Sequence, residues 1–432
     1  MGLKSRLILM NFLQFFIWGA WLITIANYWF GTMQWGSTEF GAIFLTLGIS
    51  SLFMPTLTGI IADRWINAEK LYAILHILGG AVVFCFPMIT SPDTFFWFML
   101  LAMCFYMPTI ALTNTIAYNA LKSGGHDVVK AFPPIRVFGT IGFIAAMWIT
   151  NLSGSKASEM QFYISAAASM VLGFYSFTLP KCPPQLQVVG KSSFVKMFGL
   201  DAFRLFANYK MALFFIFSML LGASLQLTNM YGDVFLDEFK FNPMYGPDSF
   251  VVKYSTIIMS ISQMSETIFI LTIPFFLRKF GIKQVMLLSM VAWVLRFALF
   301  GFGDPAGGLW MLILSCIIYG MAFDFFNISG SLFVETECNP NMRASAQGLF
   351  MTMTNGFGTI IGSFVSGKLI ATYFTVEKVV IENGQEMIKH EKEWPNIWFA
   401  FAAYGAVVAI LFAILFRHKH NPEQISKTTV TH

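Results

Sequence analysis

Asp324 lies near the middle of residues 309–334, an apolar run long enough to cross a bilayer. A carboxylate at membrane depth is costly, so it faces a partner or a water-filled cavity. Tyr319, Phe323 and Asn327 recur every four residues around it, which puts them on one helix face. Three other apolar runs carry polar residues at separations of three, four or seven. One holds Arg136, Thr140 and Phe143, a second Gln226 and Asn229, a third Gln263 and Glu266. Such spacings keep each set on one face. An isolated polar pair such as Gln226 and Asn229 can be interhelical glue, and Tyr319 and Phe323 can be plain packing. Four polar faces together imply a shared polar cavity.

The residue types specify what such a cavity would hold. Gln and Asn each offer a donor and an acceptor, which suits the edge of a nucleobase or a sugar diol. Phe143, Tyr319 and Phe323 offer surfaces on which a flat ring can stack. Glu266 and Asp324 can accept from hydroxyls or take a proton. Arg136 would balance one of these acids, and one cation facing two acids leaves room for a proton. Desolvation favours the neutral form of a carboxylate, which is what proton coupling requires. Arg296 is expected to have a structural role, snorkelling or paired with a carbonyl. His76 is expected to be a hydrogen-bonded core histidine.

Composition fixes where these faces must sit. Of 432 residues 56% are hydrophobic and 11% charged, with mean hydropathy +0.67. Soluble domains carry about 25% charged residues, so most of this surface meets lipid, and many of the 49 Phe residues face acyl chains. A net charge of +5 spread over loops indicates no nucleic-acid partner. The five cysteines have no metal or disulfide spacing, and no cofactor is indicated. The first apolar segment lacks a small-residue cleavage site and reads as a retained helix.

A spanning helix needs about 20 mostly apolar residues. Twelve candidates occur, at about 6–31, 38–62, 69–90, 93–121, 132–151, 160–180, 208–236, 249–277, 283–302, 308–335, 344–372 and 394–416. This predicts an all-α membrane protein of twelve transmembrane helices. Eighteen Lys and Arg, among them Lys4, Arg64, Lys122, Arg278 and Arg417, fall on the side that holds both ends of the chain, against seven on the other. By the positive-inside rule both termini are cytoplasmic. The longest cytoplasmic connection divides the spans six and six: residues 1–180 form one bundle, 181–207 a linker, 208–417 a second bundle and 418–432 a tail. Residues 194–206 have apolar residues at helical spacing with Lys196, Asp201 and Arg204 between them, an amphipathic helix on the inner membrane face.

The halves read as diverged copies. Tyr106 and Asn114 match Tyr319 and Asn327 at the same separation, and Phe138-Gly-Thr-Ile141 matches Phe357-Gly-Thr-Ile360. Six-plus-six parallel repeats are the plan of major facilitator transporters, with the substrate site at the midplane between halves. Gly59-Ile-Ile-Ala-Asp-Arg64 resembles the loop signature of that superfamily, in which the Gly permits close helix approach and the charges latch helix ends. The corresponding Arg278-Lys-Phe-Gly-Ile-Lys283 lacks the Asp.

The sequence resembles the nucleoside:proton symporters of the major facilitator superfamily over nearly its whole length. The resemblance is carried by Phe132-Pro-Pro-Ile-Arg-Val-Phe-Gly-Thr-Ile-Gly-Phe143, Ile258-Met-Ser-Ile-Ser-Gln263, Ala322-Phe-Asp-Phe-Phe-Asn-Ile-Ser-Gly-Ser331 and Arg343-Ala-Ser-Ala-Gln-Gly348, with shorter runs such as Leu13-Gln-Phe. It implies uptake of purine and pyrimidine nucleosides driven by the proton gradient across a bacterial inner membrane, by a chain that works as a monomer. It implies binding positions at Arg136, Thr140, Phe143, Gln226, Asn229, Gln263, Glu266, Tyr319, Phe323 and Asp324. A xanthosine-selective branch shares much of the pattern, and the charged 374–393 loop is longer than the family's. A sugar symporter would also have a polar and aromatic site. An integral-membrane enzyme would need a nucleophile–base pair or metal cluster, and none is found. A receptor would usually carry an output domain, and the few residues after the last span are too short for an independent fold.

Overall fold

The computed structural model describes residues 2–184, 200–339, 342–382 and 385–418. Six helices make the first half: α1 (Leu3–Gly19), α2 (Ser37–Arg64), α3 (Ala68–Phe84), α4 (Pro92–Ser123), α5 (Val128–Leu152) and α6 (Met160–Ser176). The second half begins with α7 (Tyr209–Glu238). Ser255–Phe302 is one continuous stretch broken at Gly281, whose φ of 79° is open to glycine, and the break separates α8 (255–280) from α9 (282–302). Then come α10 (Leu309–Glu337), α11 (343–373) and α12 (Trp394–Leu415). Eight of these stretches are long and apolar enough to cross a membrane by length and composition alone.

Local chemistry sets several boundaries. Ser91 caps α4, its hydroxyl accepting from Thr94 N at 3.4 Å, with Pro92 in the first turn where a missing N–H costs nothing. Asn208 caps α7, accepting from the amides of Lys210 and Met211. Two stretches are wound as wide π turns: Asn27–Thr32 beyond α1, and Thr352–Gly358 within α11. Such turns concentrate at functional sites.

Three features differ from the sequence reading. The 374–393 loop is an antiparallel hairpin, β1 (Thr375–Glu382) with β2 (Gln385–Lys392), in which Thr375 pairs with Lys392. Of the expected amphipathic helix over 194–206, residues 194–199 lie outside the described residues and the remainder falls in a 3₁₀ segment, Leu200–Ala207. Gly59 does not mediate a close approach, because a Cβ there would have open space.

Helices touch backbone to backbone where glycine permits it. Gly142 on α5 lies against the Phe12 carbonyl of α1, and Gly222 on α7 against the Thr354 carbonyl of α11. The two matched motifs behave alike. Gly139 meets Phe15 on the first helix of its half, and Gly358 meets Met219 and Gly222 on the first helix of the other. Without a hydrophobic drive between helices in lipid, close packing of small residues supplies the attraction.

The halves meet along α2 with α11 and α5 with α8. Polar contacts seal them at the end away from the termini. Lys156 pairs with Asp237 at 2.6 Å and donates to the carbonyl of Val252 and to Ser255. Asn151 Nδ2 donates to Lys253 O at 2.8 Å, while Asn151 Oδ1 accepts from Thr256 N. Asn27 donates to Asp233 at 2.5 Å. Lys392 pairs with Glu238 at 2.7 Å and reaches over the Phe30 ring at 3.8 Å. Toward the end that carries the termini, a Cβ at Gly59 on α2 would meet nothing within 4 Å.

Gly222→Val should lower the thermal denaturation midpoint of the purified protein, because the added carbons meet the Thr354 carbonyl and α7 must move off α11. The cost expected is about 1–3 kcal/mol, as for overpacked cores, and an unchanged midpoint would show that α7 and α11 do not depend on this contact.

Candidate substrate cavity between the halves

Predicted residues of three helices come near one another: Glu266 of α8 lies within electrostatic range of Arg136 on α5 and of Asp324 on α10. On α10 the rings of Tyr319 and Phe323 are parallel, at 4° and 5.8 Å between centroids, as four-residue spacing on a helix dictates. Tyr319 is held from behind. The Arg296 guanidinium lies 4.8 Å from its ring centre and the Trp293 ring stands edge-on at 5.9 Å. Arg296 is fully buried, and Nη1 donates to Ser315 O at 2.6 Å with Ser262 and Thr228 as further acceptors. The carbonyl pairing expected for this arginine is therefore present, and it also supports a candidate site residue, which the sequence did not reveal. Asp324 is only 4% exposed, and its Oδ2 has no partner among the described residues.

A polar clamp fixes α8 against α10. Ser265 donates to the carbonyl of Ile317 and accepts from Gly320 N, and Gly320 is needed because a Cβ would strike Ser265. This sets the two flanking side chains. Gln263 comes within hydrogen-bonding reach of the Tyr319 hydroxyl, and Glu266 comes within electrostatic range of Arg136 and Asp324. Arg136 stacks over Phe15 at 4.0 Å and is not within 4 Å of either acid. The cation is thus held by an aromatic face.

The remaining residues divide. Thr140 is half-buried on α5, and Phe143 packs edge-on against Trp18 at 6.4 Å. Trp18 in turn lies 5.6 Å from Tyr106, and its Nε1 is buried without a partner. Nothing in the spacing of the first span singled out Trp18. Gln226 is partly glue: Nε2 donates to Thr359 on α11 at 3.0 Å, while its Oε1 is buried and unpartnered. Asn229 is half-buried. Asn327 Nδ2 donates back to Phe323 O at 3.0 Å, so its carbonyl is the half left for other partners.

His76 lies apart from this cavity. It is fully buried in the first half, where Nε2 donates to Gln14 Oε1 at 2.9 Å, and the same oxygen accepts from the Tyr72 hydroxyl at 2.6 Å. This is the core role expected of it. Among the described residues no group of His, Cys, Asp and Glu could hold a metal. The residues that come near one another here are two acids and one cation, beside a pair of parallel rings and Gln263. The first group can exchange a proton and the second can bind a flat polar molecule.

Comparison with known proteins gives the same direction. The sequence model of the nucleoside H+ symporter family matches residues 1–421. The chain belongs to this family. It is 50% identical to the nucleoside permease NupG of Escherichia coli (strain K12) over the full length of both chains. It is 49% identical to a xanthosine permease of the same organism, again over both full lengths. The fold matches a crystal structure of the nucleoside transporter NupG with a TM-score of 0.87, covering 97% of this chain and 100% of that one at 50% identity. A bacterial homologue of the lysosomal transporter Spinster, at 13% identity, shares the fold with a TM-score of 0.65 over 98% of this chain and 97% of that one. The protein is a multi-pass membrane transporter of the major facilitator fold, not an enzyme.

Arg296→Met should destabilise the second half by removing a charged donor from three buried acceptors. The loss expected is on the order of 1.5–3 kcal/mol, the range for hydrogen bonds to charged groups. Thermal denaturation of the purified variant measures it, and a midpoint equal to wild type would remove Arg296 as a support of Tyr319.

Proposed function

We propose that this chain carries nucleosides, purine and pyrimidine alike, into the cell together with protons across a bacterial inner membrane. The observation that carries the reading is the grouping of Glu266, Asp324 and Arg136 between the two halves, beside the Tyr319–Phe323 pair and Gln263. An aromatic pair and carboxamides recognise a base, and two acids sharing one cation offer a place for the coupled proton. Residues 1–180 and 208–417 act as two bodies that rock around the cavity, joined by the 181–207 linker. With both termini in the cytoplasm, the sealed end faces outward. One chain is the working unit, since its two halves complete the cavity.

In this scheme Gln263 binds substrate from α8 and Tyr319 and Phe323 stack on the base. Arg136, Thr140 and Phe143 face it from α5. Gln226 and Asn229 approach from α7, and Asn327 borders it on α10. Asp324 and Glu266 carry the proton. Their separation by one helix–helix contact means that a proton on one changes the charge felt by the other. When a proton enters from the outside it neutralises the excess acid, and the neutral, substrate-loaded cavity crosses to the inward-open form.

Asp324→Ala should abolish proton-driven accumulation of uridine while leaving equilibration down a gradient measurable. In wild type, accumulation rises as the external pH falls, and the variant should lose that dependence. Normal pH-dependent accumulation by Asp324→Ala, in vesicles with an imposed proton gradient, would sink the role of this acid.

Binding of uridine, xanthosine and a disaccharide to the purified protein, in wild type and in Gln263→Ala, tests the substrate class. Uridine binding lost in the variant is the expected result. Xanthosine binding without uridine would restrict the protein to the narrower preference of one relative, and a response to the disaccharide alone would refute nucleoside transport.

A further inference from the structure

Beside the aromatic pair a narrow recess enters the second half. It is small, with room for only about 20 Å³, far below the roughly 300–1,000 Å³ of a whole-ligand pocket. Leu225 of α7, Trp293 of α9, Phe323 and Asn327 of α10, and Asn355 of α11 line it. It is too tight for a whole ring system and suited to one substituent of a larger ligand.

Asn355 reaches this recess through a local irregularity of α11. It lies in the π turn Thr352–Gly358, whose extra residue shifts the face presented by the chain. The backbone there is pressed on α7, with Gly222 under the Thr354 carbonyl and Gly358 against Met219. The close contact fixes the turn and hence the side chain that points inward. Asn355 is half-buried and has no hydrogen-bond partner among the described residues. Asn327 has spent its Nδ2 on Phe323 O. The recess therefore offers a free carboxamide and a free amide carbonyl, with the flat face of Phe323 at its edge.

We propose that Asn355 is a specificity-determining residue that, with Asn327, binds the exocyclic substituent of a base lying against Phe323. This rests on the nucleoside reading above. A carboxamide suits the position because it is both donor and acceptor. It can turn its amide to a ring carbonyl, such as that of uracil, or its oxygen to a ring amine, such as that of cytosine. One residue would then admit bases whose polar edges are opposite in kind, which is what broad base tolerance needs. A hydroxyl-rich sugar gains nothing from the apolar Phe323, Leu225 and Trp293 around the recess.

The experiment measures dissociation constants for three ribonucleosides, uridine, cytidine and the riboside of pyrimidin-2-one, which has no exocyclic group at the discriminating position. Asn355→Leu, of similar size and without polar atoms, should weaken uridine and cytidine roughly tenfold and leave the third compound unchanged, as expected when one hydrogen bond is lost. Asn355→Ser, should the leucine variant fail to fold, must show the same pattern. An equal loss for all three compounds would make Asn355 a structural residue, and no loss for any would remove it from the site. A loss that followed the ribose 2′-hydroxyl, read with 2′-deoxyuridine, would assign the recess to the sugar and overturn the proposal. Wild type that binds none of the three would instead refute the nucleoside reading itself.

Discussion

Two carboxylates share the space between the halves with one cation. Burial of an unpaired charge is among the most expensive things a membrane protein can do. Glu266 and Asp324 sit on adjacent helices, within electrostatic range of each other, and Arg136 reaches only Glu266 from the opposite half. The cavity must therefore either hold a proton or admit water and substrate to share the charge. Much of the surrounding structure serves this constraint. The Ser265 clamp sets the distance between α8 and α10, and Arg296 stiffens the wall behind Tyr319 while all its own donors are met. The one charge with no fixed counter-ion is the one that the cavity can exploit.

Glycine contacts explain how halves that move can also be rigid within themselves. α1 with α5 and α7 with α11 are locked by main-chain approaches at Gly142 and Gly222, contacts without rotamers that could relax. Between the halves α2 and α11 also approach through glycine, Gly41 against Ser363 and Gly48 against Gly356, and polar pairs are added. Lys156–Asp237, Asn151 with α8, and Asn27–Asp233 are polar pairs at one end only. Asn27, Asp233 and Asp237 are buried in this form, and their polar groups could exchange one another for water if the halves part.

Much of this was legible in the sequence because bilayers impose strong rules. Apolar length marked the spans, and helical spacing gathered Gln263 with Glu266 and Tyr319 with Phe323 and Asn327. Those regularities survive because each residue acts through its own helix. What was not legible depends on partners from distant segments. Nothing local told that Arg296 would lie over Tyr319, or that Gln226 would give its amide to Thr359 and keep its oxygen. The spacing rules assume a regular helix, so the π turn hid Asn355, whose direction depends on an extra residue. The signature glycine Gly59 was misjudged for a related reason. Its partner helix would have to come from a distant segment, and here a Cβ at Gly59 would meet nothing within 4 Å.

That last point bears on how a conserved-looking motif should be read in a protein that changes shape. A residue suited to close approach need not be in close approach in any one state. Gly142 and Gly222 join helices of one half, while Gly41 and Gly48 on α2 press on Ser363 and Gly356 of α11 across the halves. Gly59, further along α2, meets nothing within 4 Å. In the proposed rocking, closing one end of the cavity opens the other, so the free space at Gly59 and the Lys156–Asp237 pair would exchange roles as the carrier turns over.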